Sequence, residues 1–303
     1  MPDTPDRALP PTERRLDASA ELDAMSTRER LALLTAESRV AVDAVEAALP
    51  QLAELVDAAA ERMRRGGTVH YVGAGTSGRL GVLDASELLP TFHLEPGRVV
   101  GHIAGGSAAL VSAVEDAEDS AGEGRAVVAG LGPDDVVIGI AASGSTPYVG
   151  GALEAAGAAG AVTALISSNP AASLAGIADI HVLLDTGPEV VTGSTRLKAG
   201  TAQKLALNGF STATMIALGR TWQNLMVSVV ATNAKLRERT VRILAEALGI
   251  AAEDARARLE ASDGDLKSAI VAELTGREPA EAARLLSAHD GSVRDAVAAG
   301  TGP

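Results

Sequence analysis

The stretch "HYVGAGTSGRLGVLDASELLPTF", residues 70–92, decides the fold because its character changes twice. It starts with the apolar residues of a buried strand and becomes rich in glycine and hydroxyl groups within a few positions. It then carries the apolar and acidic residues of a helix. A strand that runs through such a loop into a helix is the repeating unit of a parallel α/β sheet. Ligands of such sheets bind at the carboxyl ends of the strands, so a site is expected at this loop.

Four further apolar runs follow this one, and their spacing predicts the rest of the sheet. They are "RVVGHIAG", "DVVIGIAAS", "AVTALIS" and "DIHVLLD", and four of the five runs end in Gly, Ser or Thr. The segments between the runs predict helices over residues 77–91, 107–129, 146–159 and 170–178. Alternating strands and helices predict an α/β fold with a doubly wound five-stranded parallel sheet.

Helical segments flank the predicted sheet on both sides. Apolar residues recur at helical spacing from 26 to 65, with a break at Pro50, and residues 192–246 read as one or two long helices, including a long helix over 203–240. Residues 1 to about 20 are charged and rich in proline, which predicts a loose arm. We therefore expect an N-terminal arm with helices, a central ligand-binding domain that contains the sheet and a small C-terminal helical domain, with the boundaries 1–66, 67–240 and 241–303.

The last 60 residues or so contain an internal repeat at an offset of 27 residues. Each copy reads as a helix, an Asp-Gly turn and a second helix, which predicts a small bundle built from a duplicated unit. The residues of the first copy that match the second include Ala255, Leu259, Asp263, Gly264, Leu266 and Ala269, which align with Ala282, Leu286, Asp290, Gly291, Val293 and Ala296.

Composition and charge exclude several classes of function. The chain of 303 residues is 47% hydrophobic but only 2% aromatic, which favours a core of small aliphatic side chains. Its net charge of −13 repels polyanions, so a nucleic-acid partner is not expected. The chain has no cysteine, no leader-like N-terminus and no apolar stretch of about 18 residues, so we expect a cytoplasmic protein without disulfides and without membrane contact.

The glycine-rich loop after the first strand has two interpretations. Gly73, Gly75 and Gly78 fit the dinucleotide-binding spacing, but the next strand ends in glycine and lacks the acidic residue that would bind a ribose. Thr76 and Ser77 instead place hydroxyl donors at the start of a helix, which suits a phosphate monoester. The plainer alternative is a strand-helix turn in which one of these hydroxyls caps the helix.

A second hydroxyl-rich loop follows the third strand. In "AASGSTPYV", Ser143, Ser145 and Thr146 surround a glycine and precede a proline at a plausible first helical position. One such loop alone would indicate helix capping. Two of them at the carboxyl ends of parallel strands indicate an anion site that closes from two sides.

Carboxylates form the next candidate group. Glu87 lies ten residues beyond Ser77 on the predicted helix, and Glu115, Glu118 and Asp119 would share one face of the helix expected over 107–129. Spacing does not choose among these three, and a solvated acidic helix face remains the alternative.

The segment "PEVVTGSTRLKAGTAQK" combines an acidic residue and hydroxyls with three of the chain's 26 lysines and arginines. Its candidate ligand contacts are Glu189, Ser194 and Lys198, with Arg196 beside them, and ordinary surface ion pairing is the alternative. The five histidines show no metal-ligand spacing, so no metal site is expected.

Taken together, these stretches resemble the N-acetylmuramic acid 6-phosphate etherases of the sugar-isomerase (SIS) domain superfamily. The resemblance runs from about Leu31 to the end of the chain through long motifs, among them "GAGTSGRLGVLDASELLPTF", "AVEDAEDS", "GIAASGSTPYV", "GPEVVTGSTRLKAGTAQKLALN" and "NLMVSVVATNAKLRER". It implies cleavage of the D-lactyl ether of the sugar phosphate without nicotinamide, metal or any other cofactor. It also implies a homodimer with the site near the interface, to which helix 203–240 would contribute.

The resemblance also implies roles for individual residues. Glu87 would be the acid, Glu118 the base at C2, and Ser145 stands where many relatives have arginine. The phosphate would be bound by Gly75, Thr76, Ser77, Ser143, Ser145 and Thr146. Two other functions on the same fold remain as alternatives: a sugar-phosphate-sensing regulator, which would be a much longer protein, and an aldose-ketose isomerase.

Overall fold

All five predicted strands are present, and they pair in parallel in the computed structural model, which describes residues 9–229 and 234–301. The order across the sheet is β2-β1-β3-β4-β5, so the winding reverses between β1 and β3. The predicted doubly wound five-stranded parallel sheet is therefore confirmed. The strands are β1 (Val69–Gly73), β2 (Val99–Ile103), β3 (Val136–Ile140), β4 (Val162–Ser167) and β5 (Ile180–Leu183).

Helices lie before, between and after the strands of the sheet. Pro50 lies in the first turn of the second helix, where its missing N–H costs nothing, so the predicted break is confirmed. Within the described ranges, no helix is long and apolar enough to cross a membrane. These helices are α1 (Thr27–Ala47), α2 (Leu49–Arg64), α3 (Gly75–Phe92), α4 (Ala121–Val127), α5 (Pro147–Ala158) and α6 (Lys198–Ala217).

Small residues allow α5 to pack closely on the sheet. Val72, Val137 and Leu165 from three strands form one buried cluster with apolar residues of α5. Gly139 allows this close approach because it has no side chain. A Cβ at this position would lie only 2.5 Å from a methyl carbon of Val149. The low aromatic content of the chain is explained by this close packing of strands and helices.

The chain divides into two compact units. The first comprises Met1–Ala85 and Gly97–Ser211, and it contains the sheet. The second comprises Ser86–Pro96 and Thr212–Pro303. The three-part division with boundaries at 66 and 240 stays a prediction.

The C-terminal repeat is confirmed within the second unit. Its helices are α7 (Ala234–Leu248), α8 (Ala252–Ala261), α9 (Leu266–Thr275), α10 (Pro279–Ala288) and α11 (Val293–Gly300). The turns between α8 and α9 and between α10 and α11 have positive φ at both residues of each Asp-Gly pair. Asp265 and Ser292, which are equivalent in the two copies, each cap the helix that follows. The two copies therefore share their turn geometry as well as their apolar positions.

A half-buried lysine connects the start and the end of the C-terminal part of this second unit. Lys267 Nζ donates to the carbonyl oxygens of Gly219 and Gly291 at 2.8 Å each. Burial, together with the nearby charge of Arg220, lowers the pKa of Lys267 to about 8. The turn of the second repeat copy is thus held to the segment that follows α6.

The predicted helix over 107–129 is wrong. This segment forms two short 3-10 turns, Gly106–Leu110 and Ala117–Asp119, before the short helix α4 begins after the capping Ser120. Gly105, Gly106 and Asp116 have positive φ, which interrupts a right-handed helix. Glu115, Glu118 and Asp119 consequently do not share a helical face.

Two other predicted helices also differ from the structure. Residues 170–178 contain only the 3-10 turn Ser173–Ile177 instead of the predicted helix. The long helix over 203–240 is wrong, since α6 stops at Ala217 before Gly219, which has a φ of +67°. Residues 192–246 therefore hold two helices, α6 and α7, and residues 230–233 lie outside the described part.

The predicted arm is partly attached to the first unit. Residues 1–8 lie outside the described part, but Thr12 is buried and its carbonyl oxygen accepts a hydrogen bond from the N–H of Gly193 at 3.0 Å. The arm therefore contacts the loop that precedes α6 rather than hanging free at this point.

A directed hydrogen-bond chain crosses β1 and β2. The Thr68 hydroxyl donates to Asp135 Oδ1 at 2.6 Å, so its oxygen accepts from His70 Nε2–H at 2.8 Å. His70 Nδ1 then accepts from His102 Nε2–H at 2.8 Å. This order requires a neutral His70 ring, because a proton on His70 Nδ1 would face the N–H of His102. Burial and the neighbouring His102 lower the pKa of His70 to about 4.

We predict that the folded protein loses stability as the pH falls from 6.5 towards 4. Between these pH values His70 is protonated in the unfolded chain but neutral in the folded protein, because its pKa falls from 6.5 to about 4 on folding. Proton binding therefore favours the unfolded state, and stability falls with the pH. At pH 5 the loss from this residue is about 1–2 kcal/mol relative to pH 7.5. Urea unfolding at both pH values measures it. His70→Gln should flatten the difference, whereas His93→Asn, which changes an exposed histidine, should not.

Candidate active site

The loop from β1 into α3 is fixed by the close approach of two glycines. A Cβ on Gly78 would lie 2.6 Å from the carbonyl oxygen of Gly73, and a Cβ on Gly73 would lie 2.7 Å from the nitrogen of Gly78. Gly75 begins α3 with a φ of +52°. The first turn of the helix, with its unpaired backbone N–H groups, therefore starts directly at the carboxyl end of β1.

The two hydroxyl-rich loops lie at the same edge of the sheet. β1 and β3 are neighbours in register, with Gly73 opposite Ile140, so the loops that follow them emerge side by side. Thr146 precedes Pro147 at the start of α5, as predicted. Thr76, Ser77, Ser143, Ser145 and Thr146 are thus brought to one edge.

Hydrogen bonds give the serines of the second loop distinct roles. Ser143 Oγ accepts from the Ser145 hydroxyl at 3.1 Å and from the Ser145 N–H at 3.3 Å. Since its oxygen accepts twice, the Ser143 proton is available for a ligand. Its backbone oxygen is held by the Asn169 amide at 3.0 Å, which fixes the loop. This arrangement can donate to an anion without any charged side chain.

Ser77 differs from the other hydroxyls because its proton already has an acceptor. Its side chain is buried and donates to Gln203 Oε1 of α6 at 2.9 Å. Gln203 lies in the segment "PEVVTGSTRLKAGTAQK" but was not among its candidate residues, because a contact with Ser77 over 126 residues cannot be seen in local spacing.

Asp84 is a second residue that sequence reasoning missed. It is buried on α3, and its carboxylate accepts from Tyr71 at 2.9 Å, Asn208 at 2.7 Å and Ser211 at 3.1 Å. Burial raises the pKa of Asp84 although these three hydrogen bonds act in the opposite direction. The available signal was its spacing of seven residues from Ser77, which places both on one face of α3. Together with the bond from Ser77 to Gln203, this cluster fixes α3 against α6.

The segment before α6 binds its own chain. Glu189 is fully buried, and its two oxygens accept from the N–H groups of Lys198 and Ala199 at 3.0 Å each. Lys198 is itself 3% exposed and donates to Glu37 at 2.6 Å. Ser194 is half-buried in the same segment, and Arg196 is exposed. Substrate contacts by Glu189, Ser194 and Lys198 stay predictions, and the observed role of Glu189 is to cap α6.

We predict that Glu189→Ala destabilises the first unit. The change leaves two backbone N–H groups of α6 without their acceptor and removes a negative charge from a helix N-terminus. The expected loss in the free energy of unfolding is about 2–4 kcal/mol, measured by urea titration. Asp185→Ala removes an exposed carboxylate from the same segment and should cost less than about 0.5 kcal/mol. Equal losses in both variants would contradict the capping role.

The two candidate catalytic glutamates are both exposed. Glu87 lies on α3, in the second unit, and Glu118 lies in the 3-10 turn Ala117–Asp119 of the first unit. The structure describes each within its own unit. The pairing of Glu87 with Glu118 therefore stays a prediction.

Two other kinds of site were considered for the described residues: a metal-binding cluster and a large cavity. In residues 9–229 and 234–301, no group of three or more His, Asp or Glu side chains could hold a metal ion. A cavity of about 1040 Å³ lies in the second unit, lined by Arg220, Arg237 and Lys267 among others. It contains none of the predicted site residues.

The five-stranded parallel sheet and its helices form a fold of the SIS type. The family model for the N-terminal SIS domain of glucokinase regulatory protein matches residues 51–157. The fold is also shared with a phosphoheptose isomerase from Francisella tularensis, with a TM-score of 0.52 and 18% identity, over 63% of this chain and 100% of that one.

Curated relatives narrow this class to one family. An N-acetylmuramic acid 6-phosphate etherase from Thermobifida fusca is 51% identical over 265 residues, which is 88% of this chain and 87% of that protein. One from Streptomyces avermitilis is 53% identical over 84% of this chain and 83% of that protein. The chain belongs to the N-acetylmuramic acid 6-phosphate etherase family.

Proposed function

We propose that this protein cleaves N-acetylmuramic acid 6-phosphate to N-acetylglucosamine 6-phosphate and D-lactate. The reaction would serve recycling of cell-wall amino sugars in the cytoplasm. The observation that carries the proposal is the identity of 51% to an etherase of that name over 88% of the chain. The edge of the sheet, with its two hydroxyl-rich loops, supports it independently.

The 6-phosphate binds at the loops after β1 and β3. A chain of net charge −13 can still hold a phosphate when backbone N–H groups and hydroxyls at helix N-termini lie within hydrogen-bond distance of it. The N-termini of α3 and α5 supply backbone N–H groups, and the nearby hydroxyls supply the remaining donors. The residues proposed for this contact are Gly75, Thr76, Ser77, Ser143, Ser145 and Thr146.

The proposed chemistry is an elimination followed by addition of water. In the open-chain sugar the aldehyde acidifies the C2 proton, so a carboxylate base can remove it. The C3–oxygen bond then breaks, and lactate leaves with a proton from a carboxylic acid, which produces an unsaturated aldehyde. Water adds its hydroxyl at C3 and a proton returns to C2, so the overall change consumes one water and releases D-lactate.

Two glutamates carry the protons in this proposal. Glu118 removes the C2 proton, and Glu87 protonates the departing lactate oxygen. Both side chains are exposed in the single chain, so each can contact a ligand without any rearrangement of the hydrophobic core. Glu118 lies in a short 3-10 turn that follows Asp116, which has a φ of +58°. This irregular backbone presents the carboxylate outside any regular helix.

We predict that Glu87→Gln abolishes D-lactate release from N-acetylmuramic acid 6-phosphate and that Glu118→Gln lowers it at least a hundredfold. Each amide keeps the shape of the side chain but removes a proton-transfer group, a contribution of about 10²–10⁴ in rate. A coupled D-lactate dehydrogenase assay measures the release.

Glu115→Gln is the matched control, because Glu115 is an exposed glutamate three residues before Glu118. It should retain more than half of the wild-type rate. Normal release in Glu87→Gln and Glu118→Gln would refute the residue assignment, and no release by the wild type would refute the function.

A second copy of the chain is the proposed partner. Val111 is 90% exposed, and Leu83, Leu110 and Val114 of the same unit are also exposed large apolar residues. Arg79 of α3 donates to the Leu110 carbonyl oxygen at 3.2 Å, which holds the segment with Leu110 and Val111 against the helix with Leu83. Burying this patch in a homodimer would remove it from water and exclude solvent from the neighbouring Glu118 segment.

We predict that Val111→Glu weakens the homodimer at least tenfold, because it places a charge in the proposed interface. Sedimentation equilibrium measures the dissociation constant. Ile177→Glu changes an apolar residue of the same unit that is 41% exposed and lies outside the patch. It should leave association unchanged, and a Val111→Glu protein that associates normally would exclude this patch as the interface.

A further inference from the structure

The contact between Ser77 and Gln203 leaves one polar group without a partner. Ser77 Oγ donates to Gln203 Oε1 at 2.9 Å, and Gln203 is 1% exposed. Gln203 Nε2 is buried and has no hydrogen-bond acceptor among the described residues. A buried amide N–H without an acceptor is unfavourable, so this end of the side chain is available for rearrangement.

The direction of this hydrogen bond opposes phosphate binding by Ser77. A serine hydroxyl has one proton, and here the proton points to Gln203. A phosphate monoester offers oxygen lone pairs and needs donors. Ser77 can donate to the phosphate only if Gln203 stops accepting from it.

We propose that Gln203 is a positioning residue whose carboxamide turns over when the phosphate binds. After the turn, Nε2–H donates to Ser77 Oγ and the Ser77 proton is released to a phosphate oxygen. This inference rests on the phosphate assignment made for the proposed function and deepens it. No bond forms or breaks other than hydrogen bonds.

The rearrangement gives Gln203 Nε2 the hydrogen-bond acceptor that it lacks without the ligand. Nε2 gains an acceptor, and Ser77 gains a charged one, which makes the stronger hydrogen bond. The Oε1 atom takes the unpaired position, and an unpaired carbonyl oxygen is tolerated better than an unpaired N–H. Two hydrogen bonds in series also polarise one another in a buried environment. Glutamine suits this place because it can both donate and accept.

Two substitutions test the direction of the hydrogen bond. Gln203→Glu has nearly the same shape, and its ionised carboxylate only accepts, so it keeps the Ser77 proton away from the ligand and also adds a negative charge. It should weaken binding of N-acetylglucosamine 6-phosphate and of inorganic phosphate about thirtyfold or more. Gln203→Met removes both functions without adding charge and should weaken both about fivefold. Isothermal titration calorimetry measures the affinities, and KM should rise with kcat nearly unchanged.

A double-mutant cycle separates this role from packing of α6. If Gln203 acts through Ser77, Gln203→Met should have almost no further effect on phosphate affinity in a Ser77→Ala background. Asn208→Ala removes another hydrogen bond between α3 and α6, the one to Asp84. It should lower thermal stability while phosphate affinity stays within about threefold.

Several results would overturn the inference. The first is a folded Gln203→Met protein that binds phosphate as tightly as the wild type. The second is that the losses of phosphate affinity in Gln203→Met and Ser77→Ala simply add in the double variant. The third is that Ser77→Ala alone loses no phosphate affinity. A wild-type protein that binds neither phosphate probe would overturn it as well. Phosphate binding with the predicted coupling but without lactate release would support the inference and reject the proposed function.

Discussion

The contact between Gly73 and Gly78 is the constraint on which the candidate site depends. A side chain at either position would come within 2.7 Å of backbone atoms of the other, so any other residue would push α3 away from β1. The close approach places the first turn of α3 at the carboxyl end of a central strand. Its free N–H groups and the hydroxyls of Thr76 and Ser77 then lie beside the loop after β3. The positions of Gly75, Thr76 and Ser77, the proposed phosphate donors of α3, follow from this contact.

Polar contacts between α3 and α6 add a second level of order. Ser77 and Asp84 lie two turns apart on α3, and both bind polar side chains of α6. Glu189 caps α6 from the preceding segment, so the helix is fixed at its start as well as along its length. Ser77, Glu189 and Lys198 were predicted to contact the ligand. In the structure each of them forms hydrogen bonds with other residues of the chain. A buried polar network of this kind fixes the orientation of the donors that stay free.

Much of the fold could be predicted because its signals are local. Five apolar runs with polar ends indicated the parallel sheet, and the Asp-Gly pairs marked the turns of the repeat. The helix over 107–129 was wrong because Gly105, Gly106 and Asp116 adopt positive φ, a conformation that composition alone does not reveal. Gln203 and Asp84 were missed because their partners lie far away in sequence, 126 residues in the case of Ser77 and Gln203. The hydroxyl-rich loops were found because both the residue types and their place after strands are visible in the sequence.

The long sequence separation between α3 and α6 has a consequence for synthesis of the protein on the ribosome. β1 and α3 leave the exit tunnel early. Their partners on α6 follow more than a hundred residues later: Gln203 binds Ser77, and Asn208 and Ser211 bind Asp84. Translation at about 5–20 residues per second makes this an interval of several seconds or more. During that time the nascent chain holds a carboxylate and a serine whose final partners do not yet exist. The loop between β1 and α3, the proposed phosphate site, therefore gains its contact with α6 only after all five strands have been synthesised.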